Sequence, residues 1–507
     1  MSAKHGLPVR GLMSSKHSPQ FEGFFGRMFR SLPPAQFGAN SIENEENLQR
    51  LAAAMTGDPE EAKDGKDDEE SGIPALYTYL GQFIDHDLTF DPASSLQKQN
   101  DPDALVDFRT PAFDLDNVYG RGPDDQPYLY DNSNLFLLGG DLFGGDPGAK
   151  DLPRNSANPA RALIGDPRND ENVIVSQLQG LFLRFHNRLV QENPILSFAD
   201  AQRQVRFHYQ YVVVNDFLPR IVHSSVIEAL QDDGRYDKGK LRFYKYRNRP
   251  FMPVEFSAAA YRLGHSMVRP GYRLNDIVLL PIFSPTGGDD GLTGFRGMNP
   301  AWGIDWGRFI DIDTRPVGTV TDDIPDADAL RRLQFAYRLD TSAVDQLANL
   351  PPSVAANPGS LPLRNLLRGW RLGLPSGQKV AKAMKVTPLA DDEILLGKFT
   401  SPDNEDPEEL TPIVEAAGEV FAGNCPLWTY ILAETRQYKE PVRLPVTDNV
   451  TLHSPRLGPV GGRIVAEVFL GIMFGDPHSF LSQEPDWQPA AGADYGLKDF
   501  VRYALGG

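Results

Sequence analysis

Apolar positions recur at helical spacing through much of the chain, and the pattern is sharpest over residues 74–90, PALYTYLGQFIDHDLTF. Leu76, Leu80, Phe83, Ile84 and Leu88 form one stripe, and Pro74 suits a first helical position. Gln82 and His86 are one helical turn apart and share a face, while Asp85 and Asp87 flank the histidine. Burying such polar groups in an apolar helix is costly unless each finds a partner. On these residues alone the simpler reading is a core histidine with two solvated aspartates.

The same periodicity predicts helices elsewhere. Ser41–Met55 has Ser41 as N-cap, with Glu43, Glu45 and Glu46 at the positive end of the helix dipole. Gly165–Val190 is capped by Asp170 or a neighbour and buries Leu178, Leu181, Phe182, Phe185 and Leu189. Ser197 and Asp200 open a further helix that Pro219 kinks or ends. Ser257–Arg269 is stopped by Pro270 and Gly271, and helical segments follow at 327–337, 364–372, 376–384, 412–435 and 459–474. Between them lie an acidic solvated loop at 58–70, loops at 91–100 and 108–123, a glycine-rich connector at 139–148 and an irregular excursion over 284–330. No internal repeat and no long apolar–polar alternation is present. The expectation is a mainly α fold with long ordered loops and little β. One large catalytic domain spans 41–490, between an N-terminal arm (1–40) and a C-terminal tail (491–507).

Composition narrows this only slightly. The 507 residues are 41% hydrophobic and 23% charged, ordinary for a globular protein. A formal net charge of −18 disfavours nucleic acid or an anionic membrane as the main partner. Cys425 is the only cysteine, so no intrachain disulfide is possible. The first twenty residues lack the apolar core of a signal peptide, and the apolar run Ile464–Phe474 contains Glu467 and is too short to span a bilayer. A soluble protein is expected, cytoplasmic by default, with signal-independent export open.

Nine histidines occur, and two sit where a buried metal or cofactor would want them. His86 is one; the other is His265, off the stripe of Phe256, Ala260, Leu263 and Met267. His265 shares a face with Arg262 and Arg269. A histidine beside arginines suits a heme-iron ligand with propionate partners, and equally a structural histidine near surface arginines. His186 reads as a hydrogen-bonded core residue. HExxH, CxxC, Walker-type and GxSxG motifs and a complete EF-hand loop are absent, which removes the common zincin, P-loop and hydrolase readings. In FRTPAFDLDNVYGRGP (108–123), Asp114 and Asp116 alternate with apolar residues; with Thr110, the Ala112 carbonyl and Asp87 they suit Ca²⁺ or, more simply, an Asx-type turn.

Six motifs in order resolve these alternatives. GQFIDHDLTFDP (81–92) resembles the distal helix of the animal-type heme peroxidases of the peroxidase–cyclooxygenase superfamily. TPAFDLDNVYGRGP resembles their calcium loop, and GDPRNDEN…LFLRFHNRLV the segment with the catalytic arginine. YRLGHSMVRP resembles the proximal-histidine helix, LRNLLRGWRLGLPSGQ the segment whose asparagine supports that histidine, and LGPVGGRIVAEVFLGIM a closing helix of bacterial members. The resemblance covers roughly 40–490.

It implies heme b and Ca²⁺ as cofactors, and hydrogen peroxide with small aromatic or anionic electron donors as partners. His86 would be the distal base, Arg168 would stabilise charge as the O–O bond breaks, and Gln82 would hydrogen-bond the peroxide. His265 would ligate iron, supported by Asn365, with Arg262 and Arg368 as propionate partners. Asp85 and Glu171 match the carboxylates that form ester bonds to heme methyls; Asn172 stands where one branch has a methionine, so a sulfonium link is not expected. The calcium ligands would be Asp87, Thr110, the Ala112 carbonyl, Asp114 and Asp116. The reaction implied is peroxide-driven oxidation of aromatic donors, iodide, bromide or thiocyanate. Fatty-acid dioxygenases of the superfamily carry a tyrosine three residues before the proximal histidine; Arg262 holds that position here, with Tyr261 one residue off, which disfavours the alternative. A non-enzymatic heme-binding scaffold would keep the fold and lose the distal set, all of which is present.

Overall fold

The computed structural model describes residues 25–62, 67–89, 111–246, 249–316, 331–352, 354–355, 357–400, 410–444 and 451–507. It is mainly α, with strands that pair only in twos among the described residues. Its centre is the helix Gly461–Gly475, apolar all round and buried from Gly461 to Met473, as such a composition requires. The one acid inside it, Glu467, is fully enclosed yet satisfied. It accepts the backbone N–H groups of Arg242, Phe243 and Tyr244, and pairs with Arg463 Nε at 2.7 Å.

Two helices pack beside this centre and carry the site. Leu76–Leu88 has ten buried residues, and Phe83 on it stacks on Phe182 of the helix Val173–Glu192, with centroids 4.4 Å apart. The far side of Val173–Glu192 is covered by the C-terminal helix Leu497–Leu505, where Phe500 stacks on Phe185 at 4.3 Å. Residues 491–507 thus contribute to the main core. No helix among the described residues is long and apolar enough to cross a membrane.

Several boundaries differ from the sequence expectation. Pro74 ends a strand, Glu70–Pro74, and the helix starts at Leu76; Phe90 lies outside the described residues. The first long helix is Ser41–Ala54 with Asn40, not Ser41, as N-cap; the Asn40 side chain accepts from the Glu43 N–H at 3.0 Å. Of the predicted helix over 327–337, residues 327–330 lie outside the described residues, and Phe335–Tyr337 is a strand antiparallel to Glu70–Pro74. Gly165–Val190 divides into a 3-10 turn, Pro167–Asp170, and the helix Val173–Glu192, which Asn172 caps through Ile174 N. The helical run ends at Ile221, two residues past Pro219. Pro219 lacks an N–H, and the ladder widens into a π-turn at Val213–Phe217 before Leu218–Ile221. Ser257–Arg269 is a short α turn, Val254–Ser257, and a 3-10 turn, Ala260–His265. The segment 412–435 breaks into Ile413–Ala417, Glu419–Phe421 and Leu427–Glu434.

Candidate active site

The Leu76–Leu88 helix and the turn Ala260–His265 face each other across a cavity of about 410 Å³. Gln82, Asp85, His86 and Glu171 contribute polar groups to one part of its lining, and Arg262 and His265 to another. The rest is largely apolar, with Phe217, Tyr261, Met267, Ile282 and Phe283 among the wall residues. Such a cavity is large enough for a small-molecule cofactor.

His86 is 4% exposed, and both its ring nitrogens are engaged. Nδ1 lies 2.7 Å from Asn169 Oδ1, and Nε2 lies 3.3 Å from Glu171 Oε1. Gln82 Nε2 donates to the same Glu171 oxygen at 2.5 Å. Burial by itself would raise the Glu171 pKa; the His86 and Gln82 contacts and the Arg168 charge outweigh it and hold the carboxyl below its usual range. Asp85 behaves alike: burial opposes ionisation, but the charges of Arg262, Arg168 and His86 and the Thr89 hydroxyl keep its pKa low. Arg262 Nη1 stands 3.7 Å from Asp85 Oδ2, so this arginine links the two walls. Both carboxylates therefore enter the cavity ionised.

Backbone contacts fix Glu171. Gly294 N donates to Glu171 O, Phe295 N to Asp170 O and Val173 N to Leu292 O. A Cβ at Gly294 would sit 1.8 Å from Asp170 O, so only glycine permits this clamp. Arg154 adds a two-pronged pair to Asp170 at 2.7 and 2.8 Å. Arg168 lies behind the cavity and is not one of the residues that line it. Its guanidinium pairs with the buried Asp166 at 2.7 Å and donates to the carbonyls of His86 and Thr89 at 3.0 and 2.5 Å. It thereby closes the C-terminal end of the Leu76–Leu88 helix, where a cation complements the dipole.

On the other wall, His265 is half-buried and its Nδ1 lies 2.7 Å from the side-chain amide nitrogen of Asn365, on the helix Leu361–Arg371. Burial, then the Arg262 charge, push its pKa down to about 3. The ring is neutral in ordinary conditions and its Nδ1 faces the Asn365 amide; with that amide turned so that Oδ1 accepts from Nδ1–H, the Nε2 lone pair is left for the cavity. Gly264 beside it opens onto empty space. Arg262 lines the cavity and donates through Nε to Ser257 O at 2.8 Å. Arg269, which the helical pattern placed with it, turns away: the stretch is not an α-helix, and Arg269 is buried against Glu70 at 2.7 Å. Arg368 is half-buried on the Asn365 helix and is not among the cavity-lining residues.

A third cluster lies behind His86. Carboxylate oxygens of Asp87, Asp114 and Asp116 come within 4.8 Å of one another. Burial, then the neighbouring Asp116, push the Asp114 pKa well above the carboxylate range, the response of an acid that a cation would relieve. Leu115 between them adopts φ 60° and ψ 33°, a left-handed conformation unusual for a branched apolar residue. Ala112 is buried in the same segment, and Thr110 lies outside the described residues.

The residues fit a heme: a neutral imidazole with a hydrogen-bonded outer nitrogen on one wall, and an imidazole, an amide and two ionised carboxylates on the other. A model of the animal haem peroxidase family matches residues 94–280. Over these residues the chain is similar to that family. The chain is 29% identical over 195 residues to the chorion peroxidase of Drosophila melanogaster, covering 34% of this chain and 24% of that protein. It is 29% identical over 131 residues to the thyroid peroxidase of Canis lupus familiaris, covering 24% and 13%. The chain thus spans a quarter or less of the length of these relatives. Its fold is that of peroxidase A from Dictyostelium discoideum, with a TM-score of 0.57, 16% identity and coverage of 95% and 94%. A fatty acid alpha-dioxygenase from Arabidopsis thaliana shares it at a TM-score of 0.52, 14% identity and coverage of 96% and 76%.

Sequence reasoning missed Asn169, Arg154 and the Leu292–Phe295 clamp. Asn169 sits inside the quoted GDPRNDEN segment, but nothing in spacing alone sets it apart from the polar residues around it. Tyr261 was seen only as a misplaced tyrosine. It stacks on Phe256 at 4.7 Å, lines the cavity, and its buried hydroxyl has no hydrogen-bond partner among the described residues.

Proposed function

We propose that this protein uses hydrogen peroxide to oxidise small aromatic donors or anions such as iodide, bromide and thiocyanate. The observation that carries the reading is one cavity with a Gln82–His86 pair on one wall and the His265–Asn365 pair on the other. Heme b would be held by His265 and would supply the redox centre of the reaction with peroxide. His86 Nε2 takes the proton from the inner peroxide oxygen and delivers it to the outer oxygen as water leaves. Gln82 orients the peroxide by hydrogen bonding. The Arg168 charge, acting from behind His86, lowers the cost of negative charge during O–O cleavage. Asp85 and Glu171 would attach the heme through ester bonds, each carboxylate C–O bond replacing a C–H bond of a heme methyl with peroxide as the two-electron oxidant, while Arg262 and Arg368 would serve its propionates. Calcium bound by Asp87, Thr110, the Ala112 carbonyl, Asp114 and Asp116 fixes the backbone next to His86.

The test is a peroxide-dependent donor panel of a phenol, iodide, bromide, thiocyanate and chloride, run on the heme-loaded protein and on His86→Ala. Loss of about 10²–10⁴-fold in turnover is expected for the variant. Donor oxidation that survives His86→Ala intact would dismiss this reading. The unpartnered Tyr261 hydroxyl in the cavity wall motivates one rival, a fatty-acid dioxygenase. Oxygen uptake with an unsaturated fatty acid, abolished by Tyr261→Phe, would replace the peroxidase reading.

A further inference from the structure

His86 ends a buried polar chain that no part of the reaction described so far uses. His86 Nδ1 meets Asn169 Oδ1 at 2.7 Å, and Asn169 Nδ2 donates to Gln179 Oε1 at 2.8 Å. Asn169 and Gln179 are 0% exposed, and His86 is 4%. The three residues come from three elements: the Leu76–Leu88 helix, the Pro167–Asp170 turn and the Val173–Glu192 helix. Each is independently pinned. Asn169 N bonds to Asp166 O, Asp170 is held by Arg154, and Phe83 stacks on Phe182 one turn beyond Gln179.

The direction of this chain decides where the His86 proton sits. An imidazole with one ring N–H has one donor and one acceptor nitrogen. Gln179 Oε1 accepts from the Asn169 amide nitrogen and Asn169 presents its oxygen to His86; in this arrangement Nδ1 carries the hydrogen. Nε2, 3.3 Å from Glu171 Oε1, is then the nitrogen that exchanges its proton on the cavity side. The opposite tautomer would place a lone pair against the Asn169 oxygen, a repulsive contact at this depth of burial. We propose that Asn169, held by Gln179, is the positioning residue that fixes the His86 tautomer and ring orientation for proton transfer through Nε2. This inference rests on the peroxidase reading, in which His86 is the base.

The experiment uses heme- and calcium-loaded protein and separates two steps: the second-order rate at which peroxide changes the Soret band, and the rate of donor oxidation at saturating peroxide. Asn169→Leu removes the acceptor at similar volume. Its peroxide step should slow about 10–100-fold, as for other outer hydrogen-bond partners, with the donor step within twofold. Asn169→Asp keeps an acceptor for Nδ1–H, and Gln179 can turn its amide to donate to it. This variant should recover most of the peroxide rate, which a merely structural role of Asn169 would not predict. Asn169→Leu reacting with peroxide within twofold of the parent, while His86→Ala is crippled, overturns the inference and leaves the peroxidase reading standing. His86→Ala reacting normally removes both. If Asn169→Leu does not fold, Asn169→Asp decides alone with Gln179→Leu beside it. Recovery in the aspartate variant and a slower peroxide step in the leucine variant support the role; loss of rate in Asn169→Asp, or no change in Gln179→Leu, overturns it.

Discussion

Asn365→Leu probes the opposite wall most directly. The wild-type bond to His265 Nδ1 is 2.7 Å long, and Asn365 is 6% exposed, so water cannot easily replace the lost amide. Leaving a buried N–H unsatisfied costs ~1–3 kcal/mol. Outer partners of metal-binding histidines are typically worth about 10–100-fold in affinity. That factor corresponds to about 1.4–2.8 kcal/mol, so the two routes agree. Burial already holds the His265 pKa at about 3, so no competing protonation of the ring masks the effect near neutrality. Heme titration into the heme-free variant, followed by Soret absorbance, should show a 10–100-fold rise in dissociation constant. Asn365→Asp should retain binding and lower the iron midpoint potential, because a full negative charge on Nδ1–H makes the imidazole a stronger donor to ferric iron. A leucine variant that binds heme within twofold of the parent, with the same potential, would refute the argument that this bond orients the ligand. His265→Ala with an unchanged spectrum would remove His265 itself.

Three further outcomes are expected. Burial and then Asp116 raise the folded pKa of Asp114 above the unfolded value, so a bound cation competes with its proton. Calcium affinity should fall as pH drops through the raised value, with proton release on Ca²⁺ addition in that range; an affinity independent of pH argues against the site. Peroxide-treated holoprotein should keep its heme through acid–organic extraction, and Asp85→Asn combined with Glu171→Gln should release it; free extraction from the parent excludes the ester links. Phe182→Ala, removing a ring 1% exposed and stacked at 4.4 Å on Phe83, should cost ~3–5 kcal/mol in denaturant unfolding; a loss below ~1 kcal/mol would mean the contact contributes little.

What was legible in the sequence was whatever a helix encodes locally. The spacing of Gln82, Asp85, His86 and Asp87 fixes which of them share a face, and the helix Leu76–Leu88 has the stripe that was expected. The Asp114–Asp116 alternation likewise carried its own meaning, since the two carboxylates join Asp87 in space. Long-range order was less visible. Phe335–Tyr337 is strand because Glu70–Pro74, more than 260 residues away, pairs with it; its local composition gives no such instruction. The turn at His265 is 3-10, which a search for helical periodicity reads as α, and this is why Arg269 was misplaced. Asn169 escaped for the same kind of reason: its role exists only once the 3-10 turn sets it against His86.

Leu115 has an effect out of proportion to its chemistry. It supplies no ligand, yet its backbone φ of 60° is what turns Asp114 and Asp116 toward a common point. For a residue with a Cβ this conformation lies about 1–2 kcal/mol above the relaxed alternatives. A loop free to relax would hold it only about 3–15% of the time, so apparent cation affinity is reduced by roughly 5–30-fold relative to a loop locked in place. Packing of the buried Leu115 side chain opposes that relaxation. Residue 115 would therefore set how often the three carboxylates converge, by the balance between a backbone dihedral and a hydrophobic contact. Under the proposed function, that setting would extend through the adjacent Asp87 to His86.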